Sequence, residues 1–201
     1  SGATVVDESG NVVWADENVA VYSDLQSNWL SSRGDVTYHN DSTVGDFLTL
    51  TRHTLGSLYV SRSLSFQAGA TYAVRVLMKA GTTNIAQIGD FTGGGFTKKL
   101  NSDTQTFTGT SGGTWNNLTA TDYGNGWTEF KGFFSPVSAA STFGLMVGTN
   151  VSGDTLSFAQ LSISRSDSDY VMTGASVYHA PRTTHDAAGN ALGYLHEPQG
   201  T

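Results

Sequence analysis

Apolar and polar residues alternate with a period of two through most of the middle of this chain, which predicts strands with one buried face. The clearest run is "TYAVRVLM", residues 71–78. Tyr72, Val74, Val76 and Met78 fall on one side, and Thr71, Ala73, Arg75 and Leu77 on the other. "QAG" before it and "KAG" after it supply turns. Similar runs are "DFLTL" (46–50), "SLYVSRSLSF" (57–66), "NIAQIGDF" (84–91), "WTEFKGFF" (127–134), "TFGLMV" (142–147) and "DTLSFAQLSIS" (154–164). In the last, Leu156 and Phe158 alternate, and Leu161 and Ile163 alternate out of phase with them. One extra residue near Ala159–Gln160, a β-bulge, restores the register. Glycine-rich turns separate the runs: "FTGGGF", "GTSGGTW", "DYGNGW" and "NVSGD". No helical stripe extends beyond a turn or two. Short strands at regular spacing with such turns predict an all-β fold, a two-sheet antiparallel jelly-roll sandwich. The pattern divides the chain into an N-terminal connector (1–19), the sandwich (20–168) and a C-terminal linker (169–201) leading to a further module.

Composition narrows the partners. The 201 residues are 38% hydrophobic, enough for a core, but only 13% charged, about half the usual share. Ser, Thr, Asn and Gly carry the polarity instead. The net charge is −7 with no basic cluster, which argues against nucleic acid and anionic membranes, since both need grouped Lys and Arg. The absence of cysteine excludes disulfides and thiolate metal sites. No stretch is apolar enough to span a bilayer, and no signal peptide is visible. The chain starts at Ser-Gly and reads as a piece of a longer protein.

Several segments, taken in order, carry a resemblance. "ATVVDESGNVVWADENVAVYSD" followed by "SNWLSS" resembles a recurrent leading segment in tail-fibre and spike proteins of phages and phage-like particles, such as prophages or gene transfer agents. "FQAGATYAVRVLMKAG", "DYGNGWTEFKGFF" and "DTLSFAQLSIS" resemble strands of a carbohydrate-binding, galactose-binding-like jelly roll. "APRTTHDAAGNALGYLHEPQGT" is similar to an inter-module linker of the same proteins. The resemblance covers almost the whole chain, and its specificity lies in the order of the segments. Two features depart from it. Tyr194 and His196 stand where the linker has aliphatics, and Ala159 and Gln160 stand where many such modules have an acidic pair that helps hold calcium. The resemblance implies a non-catalytic module of a virion or phage-like particle, attaching to capsular polysaccharide on a bacterial cell, with neighbouring modules or subunits as further partners. No cofactor or metal is implied.

The residues that could carry chemistry also have plainer roles. His179, His185 and His196, with Asp186 and Glu197, are spread along flexible sequence rather than at the tight spacing of a zinc site, so they read as linker residues. A glycosidase needs two facing carboxylates. Glu129 beside Lys131 reads as a solvated strand face, and Asp122 as a turn residue before "GNG". Asp90 is the remaining candidate, and no nucleophile elbow or zinc-protease motif appears. Sugar binding calls for an exposed aromatic face with a few polar anchors. Trp115 in "GTSGGTWNN" is the leading stacking residue, equally readable as a loop Trp over a sheet edge, with Asn117 beside it and Tyr123 as a weaker platform. Arg75 and Gln87 are outward strand positions that could form a concave floor. An isolated Arg75 could hold an acidic sugar, although an internal salt bridge is slightly favoured. Trp127 and Trp29 read as buried. Two alternatives stand beside binding: a structural spacer or assembly domain of the fibre, and an accessory domain of a secreted polysaccharide hydrolase.

Overall fold

The computed structural model describes residues 4–6, 12–14, 17–18, 25, 30–32, 34–53, 59–64, 66–91, 96–111, 114–137, 139, 142–165, 178–179, 182–185 and 191–195. Within these, every regular element is a strand. The first are β1 (Thr4–Val6), β2 (Val12–Trp14), β3 (Glu17–Asn18), β4 (Leu30–Ser32), β5 (Gly34–Asp41) and β6 (Gly45–Arg52). Then come β7 (Tyr59–Ser63), β8 (Tyr72–Ala80), β9 (Ile85–Gly89), β10 (Thr97–Asn101), β11 (Thr106–Ser111) and β12 (Thr114–Gly124). The last are β13 (Trp127–Ser135), β14 (Thr142–Val147), β15 (Thr155–Ser164), β16 (Tyr178–His179), β17 (Arg182–His185) and β18 (Ala191–Leu195).

Two six-stranded antiparallel sheets form a jelly-roll sandwich. The first sheet has the order β11-β10-β9-β14-β7-β4, and the second β12-β13-β8-β15-β6-β5. The chain passes repeatedly from one sheet to the other, so neighbours in a sheet are mostly distant in sequence. Outside the sandwich, β1 pairs with β2, β3 with β16, and β17 with β18.

Each predicted run contains a strand among its described residues, and the core side chains follow the alternation. Tyr72, Val74, Val76 and Met78 point inward with Leu48, Leu50, Phe130, Phe134, Phe158 and Ile163. From the first sheet come Val60, Ile88, Leu100, Phe143, Leu145 and Val147. The core is aromatic at one end. Phe134 stacks on Phe96 with ring centroids 4.3 Å apart and lies within 5.6 Å of Tyr72 and Phe66. These rings lock strands of both sheets together. Gly89 is fixed by a close approach: its φ is +125°, and a Cβ there would sit 1.8 Å from the Phe96 carbonyl oxygen.

Two turn readings have a clear physical basis. "GNG" closes the β12–β13 hairpin with Asn125 at φ 53° and Gly126 at φ 79°, the pair of positive φ values that Asn-Gly supplies most cheaply. The bulge near Ala159–Gln160 is present: Gln160 has φ 49°, and the β15–β8 register shifts between Ala159 and Ser162. Other strands are not visible in the alternation. β5, β10, β11 and β12 are polar, and β5, β11 and β12 lie at or next to sheet edges. "GTSGGTW", read as a turn, is mostly strand, with β11 ending at Ser111 and β12 starting at Thr114.

Candidate functional site

The register gathers a polar cluster at the centre of the second sheet's outer face, much of which is covered: Ala73, Leu77, Ser162 and Ser164 are buried. Arg75 lies at the middle of β8, opposite Lys131 of β13 on one side and Ser162 of β15 on the other. Its neighbours on the same strand, Ala73 and Leu77, carry no charge. The Arg75 Nε donates to Glu129 Oε1 at 2.5 Å, with the two side chains 12% and 15% exposed. Arg75 Nη1 donates to Gln160 Oε1 at 3.1 Å. Lys131 Nζ lies 3.7 Å from Glu129 Oε2, and Thr121 Oγ1 donates to that oxygen at 3.5 Å. The guanidinium sits 5.7 Å from the centroid of the Tyr123 ring, which is 39% exposed.

Gln160 reaches this cluster because of the bulge. The extra residue keeps Leu161 and Ile163 in the core while its own amide lies on the outer face, where Nε2 donates to the Val44 carbonyl at 3.0 Å. Beside the polar cluster the same face is apolar: Val44, Leu77, Ala159 and Trp127 pack together under Phe47. Phe47 meets Trp127 edge-on at 5.4 Å and stacks on His39 at 4.8 Å. The β5–β6 turn closes over this patch. Asp41 Oδ1 accepts the backbone N–H groups of Thr43 at 2.6 Å and Val44 at 3.3 Å, and the Thr43 N–H holds the Asp41 carboxyl below its ordinary pKa. Asn125 Nδ2 donates to Thr43 Oγ1 at 2.7 Å and ties the turn to the β12–β13 hairpin.

The structure brings together some of the expected residues and separates others. Arg75 and Tyr123 meet on one face. Gln87 does not join them, because β9 belongs to the other sheet, where Gln87 is flanked by Lys99 and Met146. Asn117 is exposed on the edge strand β12 at a bulge, with φ 49°. Trp115, readable as an exposed stacking residue or as a Trp folded over a sheet edge, takes the second form. It is half-buried on β12 opposite Phe134, packs against Phe134 and Phe96, and its Nε1 is buried without a hydrogen-bond partner among the described residues. The reason is register: a Trp paired with an inward Phe shares its face and fills the open side of the sandwich. Trp127 is 1% exposed, but it belongs to the outer-face patch rather than the main core. Glu129, read as a solvated strand residue, is the ion-pair partner of Arg75, so Arg75 is not isolated. Asp122 is on β12 rather than in a turn, with Oδ1 accepting the Gly124 N–H at 2.8 Å. Trp29 and the side chains of His179, His185, Asp186, His196 and Glu197 lie outside the described residues.

Sequence reading did not assign Glu129, Gln160, Lys131 or Thr121 to this cluster. The signals were available in part: Glu129 and Lys131 alternate on one face, and the phase break marks Gln160. What was missing was the pairing of β13, β8 and β15.

No protein family matches the sequence, and no curated protein matches it. Among solved structures the chain is similar to the enzymatically active domain of tailspike protein 4 of bacteriophage CBA120, with a TM-score of 0.50 and 16% identity over 73% of this chain. The chain spans only 21% of that tailspike chain. It is also similar to the CBM22-1–GH10 modules of Clostridium thermocellum xylanase 10B complexed with xylohexaose, with a TM-score of 0.47 and 18% identity over 78% of this chain and 30% of that one. A third is the family 11 carbohydrate-binding module of the Clostridium thermocellum cellulase Lic26A-Cel5E, with a TM-score of 0.40 and 12% identity over 74% of this chain and 94% of that one. The two-sheet jelly-roll sandwich is the fold that this chain shares with the tailspike domain.

Proposed function

We propose that this chain is a non-catalytic binding module of a phage or phage-like particle fibre or spike, and that it attaches to polysaccharide on the bacterial surface. The observation that carries the reading is the Arg75–Glu129–Gln160 network beside the exposed ring of Tyr123 on the outer face of the second sheet. Such a floor offers fixed donors, a fixed acceptor and an aromatic face, the combination that suits the hydroxyls and C–H faces of sugars. Glu129 is held by Arg75, Lys131 and Thr121, which suits hydrogen bonding better than acid or base chemistry. With its guanidinium already paired, Arg75 orients neutral hydroxyls rather than capturing an acidic sugar. The tailspike neighbour supports a particle at the host cell surface as the setting. Several copies on one particle convert weak single-site binding into firm adhesion.

The Arg75–Glu129 pair also favours a second reading, a structural spacer in which the network serves only to hold β8 and β13 together. One experiment separates the two. The fluorescently labelled chain, clustered on beads to supply avidity, is incubated with capsulated and capsule-free cells alongside Tyr123→Ala and Asn117→Ala. Retention on capsulated cells only, reduced by Tyr123→Ala, supports the binding face. Absence of retention supports the spacer.

A further inference from the structure

Asn125 and Gly126 make the turn between β12 and β13, and theirs is the one Asn-Gly pair in the sequence. Both residues are exposed. In such a pair the backbone nitrogen of the second residue can attack the side-chain carbonyl carbon of the first and close a five-membered ring. A side chain on the second residue crowds that approach, and Gly126 has none. Its N–H makes no hydrogen bond among the described residues, so nothing there holds the attacking nitrogen back. Asn101 shows the opposite arrangement. Its Oδ1 accepts the N–H groups of Asp103 at 3.0 Å and Thr104 at 3.1 Å, and the nitrogen that would attack it, that of Ser102, donates to the Asn84 carbonyl at 3.0 Å.

The contacts of the Asn125 side chain give this reaction a consequence. Its Nδ2, the nitrogen that ring closure expels, donates to Thr43 Oγ1 at 2.7 Å and is the tie between the hairpin and the β5–β6 turn. Asp41 Oδ1 accepts the N–H groups of Thr43 and Val44 within that turn. The Val44 carbonyl in turn accepts Gln160 Nε2 at 3.0 Å, and Gln160 Oε1 accepts Arg75 Nη1 at 3.1 Å. Hydrogen bonds therefore run from the hairpin tip to the Arg75 network. A carboxylate at position 125 has no N–H to donate, and it brings a second negative charge to the turn that already holds Asp41.

We propose that Asn125 is a site of spontaneous deamidation, and that its conversion releases the β5–β6 turn from the β12–β13 hairpin. The Gly126 nitrogen attacks Asn125 Cγ, and the new N–Cγ bond closes a succinimide. The Cγ–Nδ2 bond breaks, and ammonia leaves with the proton given up by the Gly126 nitrogen. Water then opens the ring at either carbonyl. Opening at Cγ gives aspartate, and opening at the backbone carbonyl gives isoaspartate, whose main chain runs through Cβ and Cγ. Neither product keeps the Nδ2 donor. Isoaspartate also lengthens by one carbon a turn that depends on two successive positive φ values. Any effect on sugar binding rests on the carbohydrate-binding reading above, whereas release of the turn does not.

The test ages the intact chain in mildly alkaline buffer, with the synthetic peptide "DYGNGW" alongside as the clock. Peptide mass spectrometry follows every asparagine, and amide ¹H–¹⁵N NMR follows the folded protein in the same samples. The expected result is succinimide and acid products at Asn125 ahead of all other asparagines, Asn101 included. A second set of Thr43 and Val44 amide signals grows in step with them. Asn125→Asp shows shifted Thr43 and Val44 signals from the outset. Asn125→Gly, which keeps a residue tolerant of positive φ, loses the hydrogen bond without gaining the charge and so separates the two effects. Asn125 still intact in the protein when the peptide has fully converted overturns the proposal. So does conversion that leaves the Thr43 and Val44 signals unmoved. Cell retention is not a readout here, so failure of the polysaccharide reading leaves this result untouched.

Discussion

Arg75 and Glu129 show how one pair of residues can serve either binding or stability. Both side chains are mostly covered, and Glu129 also meets Lys131 and Thr121. Removing one partner leaves a largely desolvated charge, whereas replacing both with apolar groups of similar size removes the pairing and the desolvation together. Arg75→Met and Glu129→Leu are each expected to lower stability by about 2 kcal/mol, and the double variant by clearly less than their sum. Urea unfolding of all four proteins measures the coupling. Additive losses would show that the pair is not coupled. Trp115 is a different case. Its ring packs against Phe134 and Phe96, so its loss acts on folding, which makes Tyr123 the cleaner probe of the face.

At the scale of elements, the bulge in β15 and the turn between β5 and β6 shape the outer face. Without the extra residue at Gln160, Ala159 and Leu161 would simply continue the alternation. Deleting Gln160 is therefore expected to keep Leu161 and Ile163 in the core and to preserve cooperative unfolding. It removes the contacts to Arg75 and the Val44 carbonyl, at a cost of roughly 1–3 kcal/mol and with loss of cell retention. Loss of folding in the deletion variant would show instead that the bulge is needed for the sheet itself. The turn carries a pH signature. Asp41 has a folded pKa below its unfolded value, because its carboxylate accepts the Thr43 and Val44 N–H groups. The associated stabilisation is complete above the unfolded carboxylate value and is lost as pH falls through the lowered folded value. The stability difference between the parent and Asp41→Asn should therefore narrow on acidification through that range, as read from denaturant midpoints. A difference that stays constant would sink the assignment.

The whole molecule depends on contacts between the sheets. Phe134 of β13 lies against Phe96, Phe66, Tyr72, Trp115 and Phe143, so both sheets meet at one ring. Phe134→Ala is expected to cost about 3–5 kcal/mol, since a buried aromatic leaves a cavity that rigid neighbours do not fill. A loss below 1 kcal/mol would mean the two sheets are held mainly elsewhere. No group of three His, Cys, Asp or Glu is close enough to hold a metal ion among the described residues.

Alternation along the chain sufficed to mark β6, β8, β9, β13, β14 and β15 as strands, because a period of two gathers the apolar side chains of each run on one side. It also located the bulge, since Leu156–Phe158 and Leu161–Ile163 cannot share a face without an added residue. The Asn125–Gly126 turn was legible for the same kind of reason, a local φ requirement that few residues meet. Edge strands β5, β11 and β12 were not legible: polar on much of their surface, they have no alternation for the sequence to display. The candidate site was only half visible. Arg75 and Tyr123 stood out as residues, but whether they meet depends on β12, β13 and β8 being neighbours, a pairing between distant segments. The same long-range pairing turned Trp115 inward, gave Arg75 its carboxylate and placed Gln87 on the other sheet. Residue-to-residue periodicity is a property of one strand, whereas a binding face is made by several, and only the tertiary structure decides which strands lie side by side.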